Sequence, residues 1–178
     1  MYPTIIKTNF FSNPEEILNE LNNLPLYNPT EKDNWPGKRS NNLSIVNTEL
    51  HAYIVNEIFK LYFGNQYFNY YDINVGSSEI KYHKLKENDW KNHTKMHTRI
   101  HKDNCDLAGI IYLNKNTNDI NTGTSIYDEN KKPIVTISNC FNTIACYDGN
   151  VYHGATSLDE KDRNIIVIFL RNIQKLKA

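Results

Sequence analysis

Three side chains of this sequence could together hold a transition metal ion. His101 and Asp103 are separated by one residue, and His153 is the only histidine that follows them. Two imidazoles and one carboxylate on one face of an octahedron form the ligand set of non-haem iron(II) sites, which leaves three positions open for other ligands. Zinc more often takes a fourth protein ligand or a single water. The pattern therefore predicts an iron(II) site.

The second chemical feature is an arginine ten residues beyond His153. Arg163 opens the apolar run 164–170, and a guanidinium at the mouth of a buried strand is costly unless an anion meets it. A dicarboxylate would meet it with bidentate geometry. The alternative is a surface salt bridge between Arg163 and one of the nearby carboxylates of Asp159, Glu160 and Asp162.

The periodicity of apolar residues predicts the elements that position these groups. Helical spacing indicates helices from residue 14 to Pro25 and over 48–63, with Asn13 and Thr48 as capping residues and Gly64 as a stop signal. Alternating or β-rich runs predict strands, and these are 67–75, 79–86, 107–113, 124–127, 134–137, 143–147, 151–155 and 164–170. We expect an α+β fold that is mainly β, with the helices packed on one outer face of a jelly roll.

Composition narrows the function classes. The chain has 178 residues, in which 20 basic and 20 acidic side chains cancel, so net charge gives no nucleic-acid signal. Three cysteines without a CxxC pair argue against a disulfide framework or a structural zinc site. The sequence shows neither a secretion signal nor an apolar run long enough to cross a membrane. We therefore expect a cytoplasmic protein, whose oligomeric state the sequence leaves open.

Taken together, the metal-ligand pattern and Arg163 resemble the Fe(II)/2-oxoglutarate-dependent oxygenase superfamily, whose fold is a double-stranded β-helix. The run 108–114, Ala-Gly-Ile-Ile-Tyr-Leu-Asn, resembles the prolyl 4-hydroxylase-like branch. The segment 122–124 resembles the glycine-containing turn that follows in that branch, although one of its usual two glycines is Thr122 here. The likeness covers about 80–172. We expect one domain over 1–178, with 1–79 as a support region and 80–172 as the catalytic barrel.

This resemblance implies a dioxygenase that uses Fe(II), 2-oxoglutarate and O2 and releases succinate and CO2. His101, Asp103 and His153 would bind iron, Arg163 would pair with the distal carboxylate of 2-oxoglutarate, and Tyr112 would donate a hydrogen bond to it. The branch suggests hydroxylation of an amino-acid or peptidyl side chain, so the expected partner is a small-molecule or peptide substrate. Two alternatives remain open, namely a cupin-like metalloenzyme without 2-oxoglutarate and a non-catalytic barrel that acts as a binding module.

Candidates for substrate contacts lie upstream of the metal pair. In an extended strand His97 and Arg99 would share a face with His101, and Tyr82 could stack on a substrate. A solvated basic strand edge is the alternative for the first two, and a core position is the alternative for Tyr82. The long loop 27–44, which contains Trp35, is a further candidate for a substrate-determining region.

Overall fold

The computed structural model describes residues 1–31, 33, 35–69, 71–73, 77–86, 89, 100–115, 118–156 and 162–175. Its helices are α1 (Pro14–Asn22), α2 (Leu43–Val46) and α3 (Thr48–Phe63), and a 3-10 turn covers Tyr67–Asn69. The strands are β1 (Ile5–Lys7), β2 (Lys38–Arg39), β3 (Tyr71–Ile73), β4 (Glu79–Leu85), β5 (Leu107–Tyr112), β6 (Asn118–Tyr127), β7 (Pro133–Cys140), β8 (Thr143–Asp148), β9 (Tyr152–Ala155), β10 (Arg163–Leu170) and β11 (Ile173–Lys175). The fold is mainly β with few helices, as predicted.

Antiparallel pairing arranges these strands into one large and two small sheets. The large sheet has six strands in the order β1-β8-β5-β10-β4-β2, the second has the order β7-β6-β9, and β11 pairs with β3. The small sheet β7-β6-β9 lies opposite one face of the large sheet, because Ile126 and Ile137 share an apolar cluster with residues of β5, β8 and β10. The candidate site residues belong to this space between the two sheets.

The two faces of the large sheet bury different partners. Side chains alternate between the faces of a strand, so Ile166 and Ile168 pack towards the helices while Ile165 and Val167 pack towards the small sheet. Strand β5 follows the same rule, since Ile111 joins the helix side and Tyr112 joins the other. This alternation places Tyr112, Ile165 and Val167 on the side of the small sheet.

Helix ends differ from the sequence prediction in their capping residues. The side chain of Asn47, rather than Thr48, caps α3 by accepting a hydrogen bond from the Leu50 amide at 3.1 Å. Asn13 makes no capping hydrogen bond to the backbone of α1. The NH2 group of its side chain donates to the Glu16 carboxylate at 3.2 Å. Gly64 ends α3 as predicted, with a φ of 81° that favours glycine.

Two other predicted elements need correction. The run 67–75 was expected to be one strand, but the structure has a 3-10 turn followed by the short strand β3. Gly123 was expected in a turn, but it lies inside β6, where the register with β7 shifts between Asp119 and Thr124. Strand β2 was not predicted at all. Within the described residues no helix has the length and apolar character needed to span a membrane.

A matched pair of isoleucine variants tests which face of the fold carries the core. Ile166 is fully buried between β10 and the helices, so Ile166→Ala should lower the free energy of unfolding by about 2–5 kcal/mol. Ile134→Ala removes a side chain that is 65% exposed and should change stability by at most about 0.5 kcal/mol. Urea denaturation measures both values, and equal losses would contradict the assigned burial.

Thiol reactivity tests the burial of the three free cysteines. Burial raises the pKa of both Cys105 and Cys146 to about 12, so at pH 8 only about one part in ten thousand of either is the reactive thiolate. Cys140 is partly exposed. We expect an aromatic disulfide reagent to titrate one thiol quickly in the folded protein and three in urea. Fast reaction of two or more thiols in the folded state would contradict this burial.

Candidate metal centre

A pair of backbone hydrogen bonds brings the two candidate histidine ligands together. The amide of His101 donates to the carbonyl of His153, and the amide of His153 donates to the carbonyl of His101, each at 2.9 Å. This antiparallel bridge places two directly opposed residues with their side chains on one face of the strands. The imidazole centroids are 4.5 Å apart, and the residues therefore face a common point.

Asp103 completes the cluster through its own backbone contact. Its amide donates to the carbonyl of Gly149 at 2.8 Å, which fixes the residue beside the start of β9. One carboxylate oxygen lies 3.1 Å from Nε2 of His153, and the other lies 3.5 Å from Nε2 of His101. The three ligand atoms all lie within 4.8 Å of one another, which is a spacing that one metal ion can bridge.

Electrostatics keep the Asp103 carboxylate ionised. Burial acts to raise its pKa, but hydrogen bonds and attraction from the imidazoles of His101 and His153 outweigh that effect and hold the pKa well below its usual range. A charged carboxylate with a side chain only 15% exposed needs a cation or donors around it. The Asp103 carboxylate is therefore available as an anionic metal ligand beside two imidazole nitrogens.

Each ring nitrogen of His153 faces a hydrogen-bond acceptor. Its Nδ1 faces the carbonyl oxygen of Val151 at 3.0 Å, and its Nε2 faces the carboxylate of Asp103. A neutral imidazole carries a single N–H, so it cannot donate to both acceptors. A doubly protonated ring or a metal ion between Nε2 and the carboxylate satisfies both acceptors, and with a metal ion bound Nδ1 would donate to Val151 as an orienting bond. The residues present therefore fit an iron(II) ion.

Arg163 is buried on the same side of the large sheet, with 6% of its surface exposed. Its guanidinium donates to the carbonyl of Gly123 at 3.2 Å and to the hydroxyl of Thr124 at 3.3 Å. Burial lowers its pKa from the ordinary value. Its Nε is buried without a hydrogen-bond partner, and none of the carboxylates in the described part of the chain forms an ion pair with it. This charge and its unused donor suit an anionic ligand.

Gly123 makes the contact with Arg163 possible. A Cβ atom at this position would lie 1.7 Å from the carbonyl oxygen of Ile137, so no other residue fits without movement of β7. The close approach of β6 and β7 leaves the Gly123 carbonyl directed at the guanidinium. The single glycine of the segment 122–124 is therefore explained by packing of the backbone.

Tyr112 lies beside Arg163 on the side of the large sheet that faces the small sheet. The guanidinium carbon is 5.7 Å from the centre of the Tyr112 ring, and the phenol donates to the Thr124 hydroxyl at 2.7 Å. Burial raises the pKa of Tyr112, while the charge of Arg163 opposes the rise. The phenol therefore keeps its proton and stays a hydrogen-bond donor next to the unpaired guanidinium.

The remaining predicted residues are placed as follows. Tyr82 is fully buried on the helix side of the large sheet, where its hydroxyl lies within hydrogen-bond distance of the side-chain oxygens of Asn22 and Asn164, so the structure does not bring it to the metal cluster. His97 and Arg99 lie outside the described residues. Cys105 is buried, and it is not part of the metal-binding group.

Sequence reasoning missed several residues that line the site. The ring of Tyr147 packs against the imidazole of His153 with centroids 4.7 Å apart, and burial raises its pKa well above the ordinary value. Trp35, Arg39 and His83 form a second cluster on the same side of the large sheet. The long loop 27–44 pointed to this region, but the pairing of β2 with β4 that orients Arg39 has no local sequence signal.

Comparisons with known proteins agree with the fold prediction. No family model matches the chain, and no curated protein matches it. Among solved structures, a prolyl hydroxylase from Trichoplax adhaerens, in complex with a peptide of hypoxia inducible factor, has 17% identity and a TM-score of 0.64, covering 94% of this chain and 83% of that one. A 2OG-Fe(II) oxygenase family oxidoreductase from Burkholderia pseudomallei has 12% identity and a TM-score of 0.63, covering 94% and 84%.

A third similar structure is the dioxygenase for auxin oxidation from Arabidopsis thaliana bound to 2-oxoglutarate. It has 14% identity and a TM-score of 0.56, covering 99% of this chain and 86% of that one. Identities this low carry information about the fold rather than about the chemistry. The chain therefore shares the fold of the Fe(II)/2-oxoglutarate-dependent oxygenases, prolyl hydroxylases among them, which confirms the fold likeness that its motifs indicated.

Proposed function

We propose that this protein is an Fe(II)- and 2-oxoglutarate-dependent dioxygenase that hydroxylates an amino-acid or peptidyl side chain. The observation that carries the proposal is the convergence of His101, Asp103 and His153 at one point, on the same side of the large sheet as the buried guanidinium of Arg163, whose Nε has no hydrogen-bond partner. Their elements meet through backbone pairing and not through flexible loops alone. We extend the proposal to the whole described architecture as one domain, with the two facing sheets forming the double-stranded β-helix.

The bound iron and 2-oxoglutarate would supply oxygen activation, which couples oxidation of a substrate C–H bond to release of succinate and CO2. The imidazoles of His101 and His153 and the carboxylate of Asp103 would hold the metal. The Val151 carbonyl keeps the His153 ring in the tautomer that presents a bare Nε2. The ring of Tyr147 and the apolar residues around it exclude water from one side of the cluster.

Arg163 and Tyr112 would bind the far carboxylate of 2-oxoglutarate. Nε of Arg163 has no partner, and a carboxylate is the group that a planar guanidinium pairs with in a bidentate manner. The protonated phenol of Tyr112, now directed to Thr124, can donate to the same carboxylate after a rotation of its hydroxyl hydrogen. A metalloenzyme without 2-oxoglutarate would have no use for this buried cation.

The peptide-bound relative from Trichoplax adhaerens supports a substrate of the amino-acid or peptide class, because it shares the fold over nearly the whole chain. Loops around the shared barrel vary between such enzymes and set their specificity. The substrate class therefore depends on the residues of this chain that line the cleft beyond the metal.

Removal of the central carboxylate tests the metal site. We expect Asp103→Asn to abolish the rise in melting temperature on addition of Mn(II), and to lower Fe(II)-dependent succinate release by at least about 100-fold, because the amide lacks the charge that holds the metal. Differential scanning fluorimetry and a succinate assay measure the two effects. Glu129→Gln is the matched control, since this carboxylate is 80% exposed. Full turnover by Asp103→Asn would exclude Asp103 as a ligand.

Replacement of the buried guanidinium separates the two metalloenzyme hypotheses. Arg163→Gln should raise the 2-oxoglutarate concentration for half-maximal succinate release by about 10–100-fold, because one charge-assisted pair is lost. Arg163→Lys should lie between this variant and the wild type, since it keeps the charge without the planar fork. The Mn(II)-induced melting shift should stay the same in both variants, which shows that the metal site is intact. An unchanged half-saturating concentration would exclude Arg163 as the ligand of 2-oxoglutarate, whereas no succinate release by the wild type would favour the cupin-like alternative.

A further inference from the structure

A second arginine faces the same cleft from the far edge of the large sheet. Arg39 on β2 pairs directly with His83 on β4, His83 pairs with Ile165 on β10, and Ile165 pairs with Tyr112 on β5. Residues directly opposite each other in antiparallel strands direct their side chains to one face. Ile165 and Tyr112 face the space between the sheets, so Arg39 and His83 face it too.

This row also sets the distance between the two arginines. Neighbouring strands are about 4.8 Å apart, so the backbone of Arg39 lies about 10 Å from that of Ile165, two strands away. Arg163 precedes Ile165 by two residues on the same face. Arg39 is thus a second cation on the same face of the large sheet as Arg163, two strands away from it.

The guanidinium of Arg39 lies over the Trp35 ring, and its Nε has no hydrogen-bond partner. Its central carbon lies 4.3 Å from the centre of the Trp35 ring, and its Nε is buried without a partner. The Trp35 indole in turn donates to Asp33 at 3.2 Å, which orients the ring. No carboxylate of the described ranges forms an ion pair with Arg39. A planar cation that lies over an aromatic ring, with a buried Nε that has no hydrogen-bond partner, can receive an anion.

The nearby carboxylates help to keep the Arg39 guanidinium ionised. Burial lowers the pKa of Arg39 to about 10, whereas the negative charges of Glu79, Asp103 and Asp33 act to raise it. The pKa stays far enough above neutrality to keep the guanidinium charged. The influence of Asp103 also places Arg39 within electrostatic reach of the metal cluster.

His83 adds an unused acceptor beside Arg39. Its Nε2 lies 2.6 Å from the carbonyl oxygen of Pro36, and a carbonyl can only accept, so Nε2 carries the hydrogen. Burial lowers the pKa of His83 well below its ordinary value, and the ring is neutral. Its Nδ1 is therefore a bare acceptor, and it is buried without a partner.

The chain maintains this arrangement at a local cost. Gly37 precedes β2 with a φ of +80°, and a Cβ atom there would lie 2.6 Å from the carbonyl oxygen of Lys84. Only glycine allows β2 to lie against β4 in this way. Lys38, the next residue, is exposed and belongs to the opposite face, where it pairs with Lys84. The fold thus directs one basic residue of β2 to solvent and the other into the cleft.

We propose that Arg39, stacked on Trp35, binds a carboxylate of the primary substrate, and that His83 accepts a hydrogen bond from a donor group next to it. This inference rests on the proposed function, and it narrows the substrate to an acid. Three sources share that chemistry, namely a free amino acid, the C-terminus of a peptide and an acidic side chain within a peptide.

Matched acids and amides test the proposal. The protein is loaded with Mn(II) and saturated with N-oxalylglycine, a 2-oxoglutarate analogue that cannot decarboxylate and that occupies Arg163. The probes are the L-amino acids and their carboxamides, N-acetylated dipeptides with free or amidated C-termini, and end-blocked peptides with internal Glu or Gln. Paramagnetic broadening of probe protons by Mn(II) reports binding close to the metal.

We expect at least one acid to bind about tenfold more tightly than its amide, as the loss of one charge-assisted hydrogen bond implies. Arg39→Gln should remove this preference, Arg39→Lys should restore part of it, and Lys38→Gln, a loss of charge on the opposite face, should leave it unchanged. The type of probe that shows the preference identifies the source of the carboxylate.

Two results would overturn the inference, namely no preference for the acid in any pair, or a preference that survives Arg39→Gln. A separate measurement tests the proposed function independently of the Arg39 assignment. N-oxalylglycine should raise the melting temperature of the Mn(II)-loaded wild type and of Arg39→Gln equally. If the analogue does not bind the wild type, the proposed function fails, and the substrate assignment that rests on it fails as well.

Discussion

The site depends on a buried carboxylate held between two imidazoles at the junction of the two facing sheets. Asp103 would be costly in this position if it stood alone, because a desolvated charge needs compensation. The reciprocal backbone hydrogen bonds of His101 and His153 place the two rings where they can compensate it. In the same arrangement both ring nitrogens of His153 face acceptors, which a cation between Nε2 and the carboxylate would satisfy. The geometry of the three side chains and the charge of Asp103 therefore both favour a bound metal cation.

The two faces of the large sheet carry different kinds of side chains. One face is covered by α1 and α3 and buries aliphatic side chains together with Tyr82. The other face combines apolar residues with Arg163, His83 and Arg39, which lie along adjacent strands. We propose that Arg163 binds the cosubstrate and that Arg39 binds the substrate. Two cations two strands apart on one face would then orient the substrate relative to the metal.

Much of this architecture could be read from the sequence because alternation and ligand spacing are local signals. The strands β4, β5, β8 and β10 follow from β-rich runs in the sequence. The spacing of His101 and Asp103 likewise indicated the metal cluster, which the structure assembles.

The features that the sequence did not predict depend on contacts between distant segments. Strand β2 has two residues, and only its pairing with β4 directs Arg39 inward. Gly123 suggests a turn locally, but the close approach of β7 makes it part of a strand. Asn47 and Thr48 are both acceptable caps, and the local geometry selects Asn47.

Anomalous diffraction from crystals grown with Mn(II) and 2-oxoglutarate tests the central claim most directly. The account predicts one anomalous peak about 2.0–2.3 Å from Nε2 of His101, a carboxylate oxygen of Asp103 and Nε2 of His153. It also predicts the distal carboxylate of 2-oxoglutarate on the guanidinium of Arg163. A metal peak away from any of these three ligands, or a cosubstrate that leaves Arg163 unpaired, would contradict it.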